Sequence, residues 1–232
     1  MLSDALTLQL GYNAALVAVG AGLLGMAAGA VGTFLFLGKR ALVSDAISHA
    51  TLPGIALAFM VMVAFGGDGR ALPGLLLGAA LSAGLGLVCV ALVLALALLL
   101  RRPMLMVAFD PGYATAQGLN VRRSELAMMG LAMAITVVGL KIVGLILIVA
   151  LLIVPPVAAR FWSDRPGVVI ALAGGIGGIS GYGGAAISAT APGLPTGPII
   201  VLLATAIFAL SLLAAPRRGV LSIALRRRRV QA

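Results

Sequence analysis

The sequence predicts an all-α, polytopic helical membrane protein, and three observations carry that prediction. First, 62% of the 232 residues are hydrophobic and only 9% are charged, more apolar surface than a soluble domain of this size would bury. Second, several apolar runs exceed the roughly 18 residues that suggest a spanning helix, and the alternation of a membrane β-barrel is absent. Third, the basic residues sit in short clusters between those runs: Lys39-Arg40, Arg101-Arg102, Arg122-Arg123, Arg160 with Arg165, and Arg217-Arg218 leading to Arg226 through Arg229. That is the pattern of cytoplasmic loops under the positive-inside rule, so the net charge of +10 is no signal for nucleic acid. Cys89, the one cysteine, excludes an intrachain disulfide and reads as a small packing residue.

In chain order, residues 1–10 form an amphipathic lead without a basic residue, and no cleavable signal peptide is evident. Residues 11–37 are the first span, ending at Lys39-Arg40, which places the N-terminus outside. Residues 42–65 are the second, interrupted by Pro53 and Gly54; proline removes a donor and glycine loosens the helix, so a break is expected there. Residues 73–100 form a long third span that tilts or hides a joint before Arg101-Arg102-Pro103. The segment 103–123 is the one sizeable polar stretch inside the chain. In it Asp110 and Pro111 read as the cap and first position of a short helix, and Gly118 as its stop.

Residues 124–154 are too many for one span and suit two, with a turn near Gly139–Gly144; Lys141 would then snorkel to the outer surface. Pro155 and Pro156 are expected to break the next helix near its inner end. Residues 167–189 return outward through a glycine-rich run, 174–184, which in an apolar span reads as close helix packing. Residues 191–198 make an outer loop or re-entrant segment, and 199–214 span inward. The count is about seven spans in one transmembrane domain over 1–232, with the C-terminus and a basic tail, 216–232, in the cytoplasm.

Asp45 and His49 are the most informative pair. They are i and i+4, on one face of a helix, and His49 is the only histidine. A carboxylate and an imidazole together are a ligand pair for a divalent transition metal. Two plainer readings stand beside it: an N-capping Asp45 with a packed, hydrogen-bonded His49, or a proton relay through both. No HExxH, cysteine pair, GxSxG or phosphate-binding loop occurs, so no enzyme is expected, and ATP-driven transport would need its ATPase on another chain.

Four stretches together resemble the permease subunits of zinc/manganese ATP-binding-cassette importers. They are Lys39-Arg40 with Ser44-Asp45-Ala46-Ile47-Ser48-His49-Ala50 and Leu52-Pro53-Gly54; Ala108-Phe109-Asp110-Pro111 through Ala116 and Gly118-Leu119; Val143-Gly144 through Val154-Pro155-Pro156 with Ala158-Ala159-Arg160; and Gly181-Tyr182 to Ser188, then Pro192 and Leu194-Pro195-Thr196-Gly197-Pro198. They follow the family's order over most of the chain. The resemblance implies a homodimeric permease of the bacterial inner membrane, moving manganese, zinc or iron inward, with no permanently bound cofactor. It further implies two cytoplasmic ATPase subunits that hold the ATP, an external metal-binding protein, and a metal path through Asp45 and His49. Phe109, Asp110, Pro111, Ala116 and Gly118 would form the segment that couples to the ATPase. Pro53, Gly54, Pro155 and Pro156 would mark breaks used in gating. Rival readings are a proton-coupled carrier using Asp45, His49 and Lys141, and a truncated, non-transporting scaffold. The second draws on a departure: family members are usually longer, and a segment expected near 86–103 is missing here.

Overall fold

The computed structural model describes residues 12–39, 87–190 and 194–215. The second span, the first part of the third, the N-terminal lead and the C-terminal tail fall outside these residues, as do Asp45, His49, Pro53 and Gly54 and the side chain of Lys141. Every regular element described is a helix. They are α1 (Tyr12–Leu37), α2 (Leu87–Leu99), α3 (Arg101–Phe109), α4 (Pro111–Ala116), α5 (Val121–Ile142), α6 (Leu145–Trp162), α7 (Pro166–Thr190) and α8 (Thr196–Ala214). The fold is all-α and membrane-spanning, as expected. Its eight described helices outnumber the seven expected spans because α3 and α4 are short helices in the polar segment rather than spans.

α1 is the axis of the molecule. It packs on α7, α6, α5 and α3, and it is the most buried of the apolar helices, while α8 is the least. Its closest partner is α7, antiparallel to it. Ala21, Gly25 and Gly29 on α1 meet Gly181, Gly177 and Ala173 on α7, in that order, with a spacing of four on both helices. A Cβ on Gly25 would overlap the Gly177 carbonyl, and one on Gly177 would overlap the Gly25 carbonyl. Lipid offers no hydrophobic drive for helices to associate, so this backbone approach and its Cα–H···O contacts replace it. The glycine run expected to pack closely does so, and its partner is the first helix.

Two breaks follow from local chemistry. Leu100 N donates to Leu96 O at 2.8 Å and Met104 N to Leu100 O at 3.1 Å. Pro103 has no N–H and its ring crowds the carbonyl four residues earlier, at Leu99. α2 therefore ends at Leu99, and α3 leaves it at 63°. Within the expected third span, 73–100, residues 87–99 form one helix; the bend falls at its very end, and the residues after Arg101-Arg102 are helical. The second break is Val143–Gly144, where Gly144 takes φ +88°, so the turn falls at the C-terminal edge of the expected window. The helices it separates, 22 and 18 residues long, reach further than expected at both ends.

α6 corrects one expectation. It does not break at Pro155 and Pro156 but runs through both to Trp162. Two missing donors leave the carbonyls of Leu151 and Leu152 without helical partners, yet both prolines and both leucines are buried against neighbouring helices. α1 brings Gly32 onto the Leu152 carbonyl so closely that a Cβ there would overlap it. Membrane helices tolerate proline where a neighbour meets the freed carbonyl in this way. Past the prolines, Arg160 Nη1 donates to the Asp164 carbonyl at 3.1 Å and lies 3.4 Å from Oδ1 of its carboxylate, closing the C-terminal end of α6.

Candidate functional site

The ligand pair Asp45/His49 lies outside the described residues, and among those residues no three His, Cys, Asp or Glu side chains come together. The described part of the expected machinery is the polar cap formed by α3, α4 and the turn into α5. Each of its bends has a chemical cause. Asp110 stands between α3 and α4 in extended conformation. Its own N–H closes α3 on the Met106 carbonyl at 3.0 Å, and its Oδ1 accepts from Tyr113 N at 2.9 Å. Pro111 fills the first position of α4, where a missing N–H costs nothing. Thr115 Oγ1 donates to the Pro111 carbonyl at 2.8 Å.

α4 stops in a Schellman motif. Gly118 takes φ +79°, its N–H donates to the Thr115 carbonyl at 2.9 Å, and Leu119 N donates to the Ala114 carbonyl at 3.0 Å. Asn120 then caps α5 by accepting from Arg123 N at 3.1 Å. Ala114 is fully buried and anchors the cap to the core, while Ala116 and Gly118 face out. Phe109 and Tyr113 are 55% and 53% exposed. Both rings project from a doubly capped turn. Tyr113 was not singled out in the sequence; its signal was an aromatic residue four positions after Phe109 inside a polar segment. Its hydroxyl accepts from Gln117 Nε2 at 3.2 Å, which fixes the ring.

On the opposite side, Ser188 Oγ donates to the Leu194 carbonyl at 2.7 Å and lies 2.9 Å from Thr196 Oγ1. This ties the end of α7 to the start of α8 across the loop expected there. Ser188, Leu194 and Thr196 all belong to the fourth of the sequence stretches, and the role the structure gives them is to fasten a loop.

A central small-residue helix pair, further apolar helices around it and one rigid helical cap define an all-α membrane protein of the permease type. Comparison makes this specific. A model of the ABC 3 transport family matches residues 12–87 and 76–215. The chain belongs to that family, the permeases of zinc and manganese importers that its motifs resemble. It is 31% identical over 296 residues to the manganese transport system membrane protein MntC of Bacillus subtilis (strain 168), covering 98% of this chain and 67% of the relative. It is 32% identical over 286 residues to the zinc transport system membrane protein TroC of Treponema pallidum (strain Nichols), covering 94% of each. Among solved structures, PsaBC from Streptococcus pneumoniae in complex with Fab aligns with a TM-score of 0.76 at 26% identity, over 97% of this chain and 100% of that one.

The alignments also locate the departure in length. Aligned lengths of 296 and 286 exceed the chain's 232 residues by 64 and 54, so at least that many positions of these relatives face a gap here. The two family matches overlap at residues 76–87, next to the 86–103 window in which a missing segment was expected.

Proposed function

We propose that the chain is the membrane-spanning subunit of an ATP-binding-cassette importer that carries Mn(II) or Zn(II) into the cytoplasm, with iron a further candidate cargo. The observation that carries this reading is the family match over both halves of the chain, together with relatives named for manganese and zinc transport. In the proposed mechanism two copies pair about a two-fold axis, with N-termini outside and C-termini in the cytoplasm. An external binding protein releases the ion between the second spans. Asp45 and His49 of the two copies replace part of its water shell, up to four ligands in all, enough for a tetrahedral site. Partial or sequential use of the four keeps the ion mobile, because a transport site must release what it binds. ATP is hydrolysed on separate cytoplasmic subunits. Their closure is passed to the helices through the 103–123 cap, where Phe109 and Tyr113 are the contact groups and Asp110, Pro111, Ala116 and Gly118 hold the shape. Pro53 and Gly54, with the buried pair Pro155 and Pro156, are the places where the helices would flex; for α6 this means bending about an intact helix.

The test is metal uptake in cells lacking their own importers, with the chain co-expressed with a cognate ATPase and binding protein. Asp45→Ala and His49→Ala should each abolish uptake and leave membrane assembly intact. Normal uptake by both variants would remove the site assignment. A second reading, a non-transporting scaffold, is favoured by the at least 54 positions missing relative to TroC. It predicts assembly with the ATPase and no flux from the unaltered chain.

A further inference from the structure

α2 and α5 line an open apolar groove of about 640 Å³ that the mechanism above does not use. Its walls include Leu92, Leu96 and Leu100 on α2 and Ala127, Gly130 and Ala134 on α5. It runs back from Leu100 to Cys89, about 16 Å of helix at 1.5 Å per residue. That is half of a hydrocarbon core about 30 Å thick, the depth of one leaflet.

The groove has a charged mouth. Leu100 is followed at once by Arg101 and Arg102, and α5, the other wall, opens with Arg122 and Arg123. All four arginines are exposed. Arg101 and Arg102 follow Leu100, the last lining residue on the α2 side, at the 63° bend into α3, and Arg122 and Arg123 lie about one turn before Ala127, the first lining residue of α5. Among the described residues no ion pair engages them; Glu125, the nearest carboxylate along α5, has an interaction of its own. Gly130 leaves the middle of the groove open: a Cβ there would meet nothing within 4 Å.

We propose that this groove and its arginines form a binding site for an anionic phospholipid, with one acyl chain lying along α2 and α5 and the phosphate held at Arg101 and Arg102. Charge complementarity selects the headgroup, and the apolar trough ending at the arginines selects a lipid over a soluble anion. The leaflet is the one on the arginine side, the cytoplasmic leaflet in the proposed orientation.

The experiment uses the purified full chain in detergent, titrated with phosphatidylglycerol or phosphatidylcholine and read by native mass spectrometry. Phosphatidylglycerol should be retained selectively. Arg101→Gln/Arg102→Gln should weaken it about 30-fold, the effect of two arginines beside anionic lipid. Gly130→Leu should evict the lipid with the arginines intact, and glycerol phosphate should not compete. Bound lipid should also slow the reaction of Cys89, on the groove wall, with a lipid-soluble thiol reagent. Equal retention of both lipids, or unchanged retention in either variant, overturns the proposal. If the arginine variant keeps its lipid but loses the co-expressed ATPase, the patch is a protein contact and the lipid site is wrong.

Discussion

At the scale of single residues, glycine decides where this chain can be changed. Gly25 and Gly177 each stand where the other's carbonyl leaves no room for a Cβ. Replacing either with Ala forces α1 and α7 apart along the whole 21/25/29 stripe. Overpacking of this kind costs about 1–3 kcal/mol. Gly25→Ala and Gly177→Ala should therefore lower the unfolding temperature in detergent, followed by the fluorescence of Trp162, the only tryptophan. Gly175, on the same helix with nothing within 4 Å of a Cβ, is the control: Gly175→Ala should leave that temperature unchanged or slightly raised. If all three behave alike, the stripe is not what joins the helices. Gly118 is costly for a different reason. Its surroundings are open, but φ +79° strains any side chain by roughly 1–2 kcal/mol, so Gly118→Ala should loosen only the end of α4.

At the scale of elements, the cap tests coupling most directly. Phe109→Ala and Tyr113→Ala remove rings that are more than half exposed, so the fold should hold. Metal-stimulated ATP hydrolysis by the co-expressed complex should drop several-fold, while Asp45→Ala leaves ATPase assembly intact. Unchanged stimulation in both ring variants would show that these rings are not the coupling contact. The short helix α4 was legible in the sequence because its causes are local: Asp110 before Pro111 and Gly118 in the left-handed position are within four residues of what they satisfy, whereas the Asn120 cap of α5 was not read. The turn at Gly144 was legible for a different reason: residues 124–154 are too many for one span. The course of α6 through Pro155 and Pro156 was not. A local rule sees two missing donors, whereas the compensation comes from Gly32, more than a hundred residues earlier. The glycine run of α7 announced close packing but not its partner. The 63° bend left too weak a mark: an arginine pair and one proline read equally well as the end of a helix. Asp45 and His49 stood out because acid and histidine are rare in an apolar chain, and their placement is not part of what the structure describes.

At the scale of the whole molecule, the number of ligands one chain can offer a metal ion decides where a complete site can form. In the proposed site Asp45 and His49 are two, and among the described residues no cluster of three His, Cys, Asp or Glu side chains offers a second site. Two ligands hold a divalent ion weakly, while four around a two-fold axis suit a tetrahedral site. The shorter length bears on the same point, because positions present in the relatives and absent here leave less protein to close a site within one copy. The site is therefore expected to belong to the pair of chains. Native mass spectrometry of the full chain with its ATPase should show two copies and one Mn(II) or Zn(II) per pair. His49→Ala should keep the pair and lose the ion. A pair made of one unaltered chain and one His49→Ala chain should bind at least tenfold more weakly than the unaltered pair, since losing 1.4 kcal/mol, less than a strong metal–imidazole contact contributes, already gives that factor. One ion on each separate copy, indifferent to the state of its neighbour, would place a complete site within a single chain and remove the reason for the two-fold arrangement.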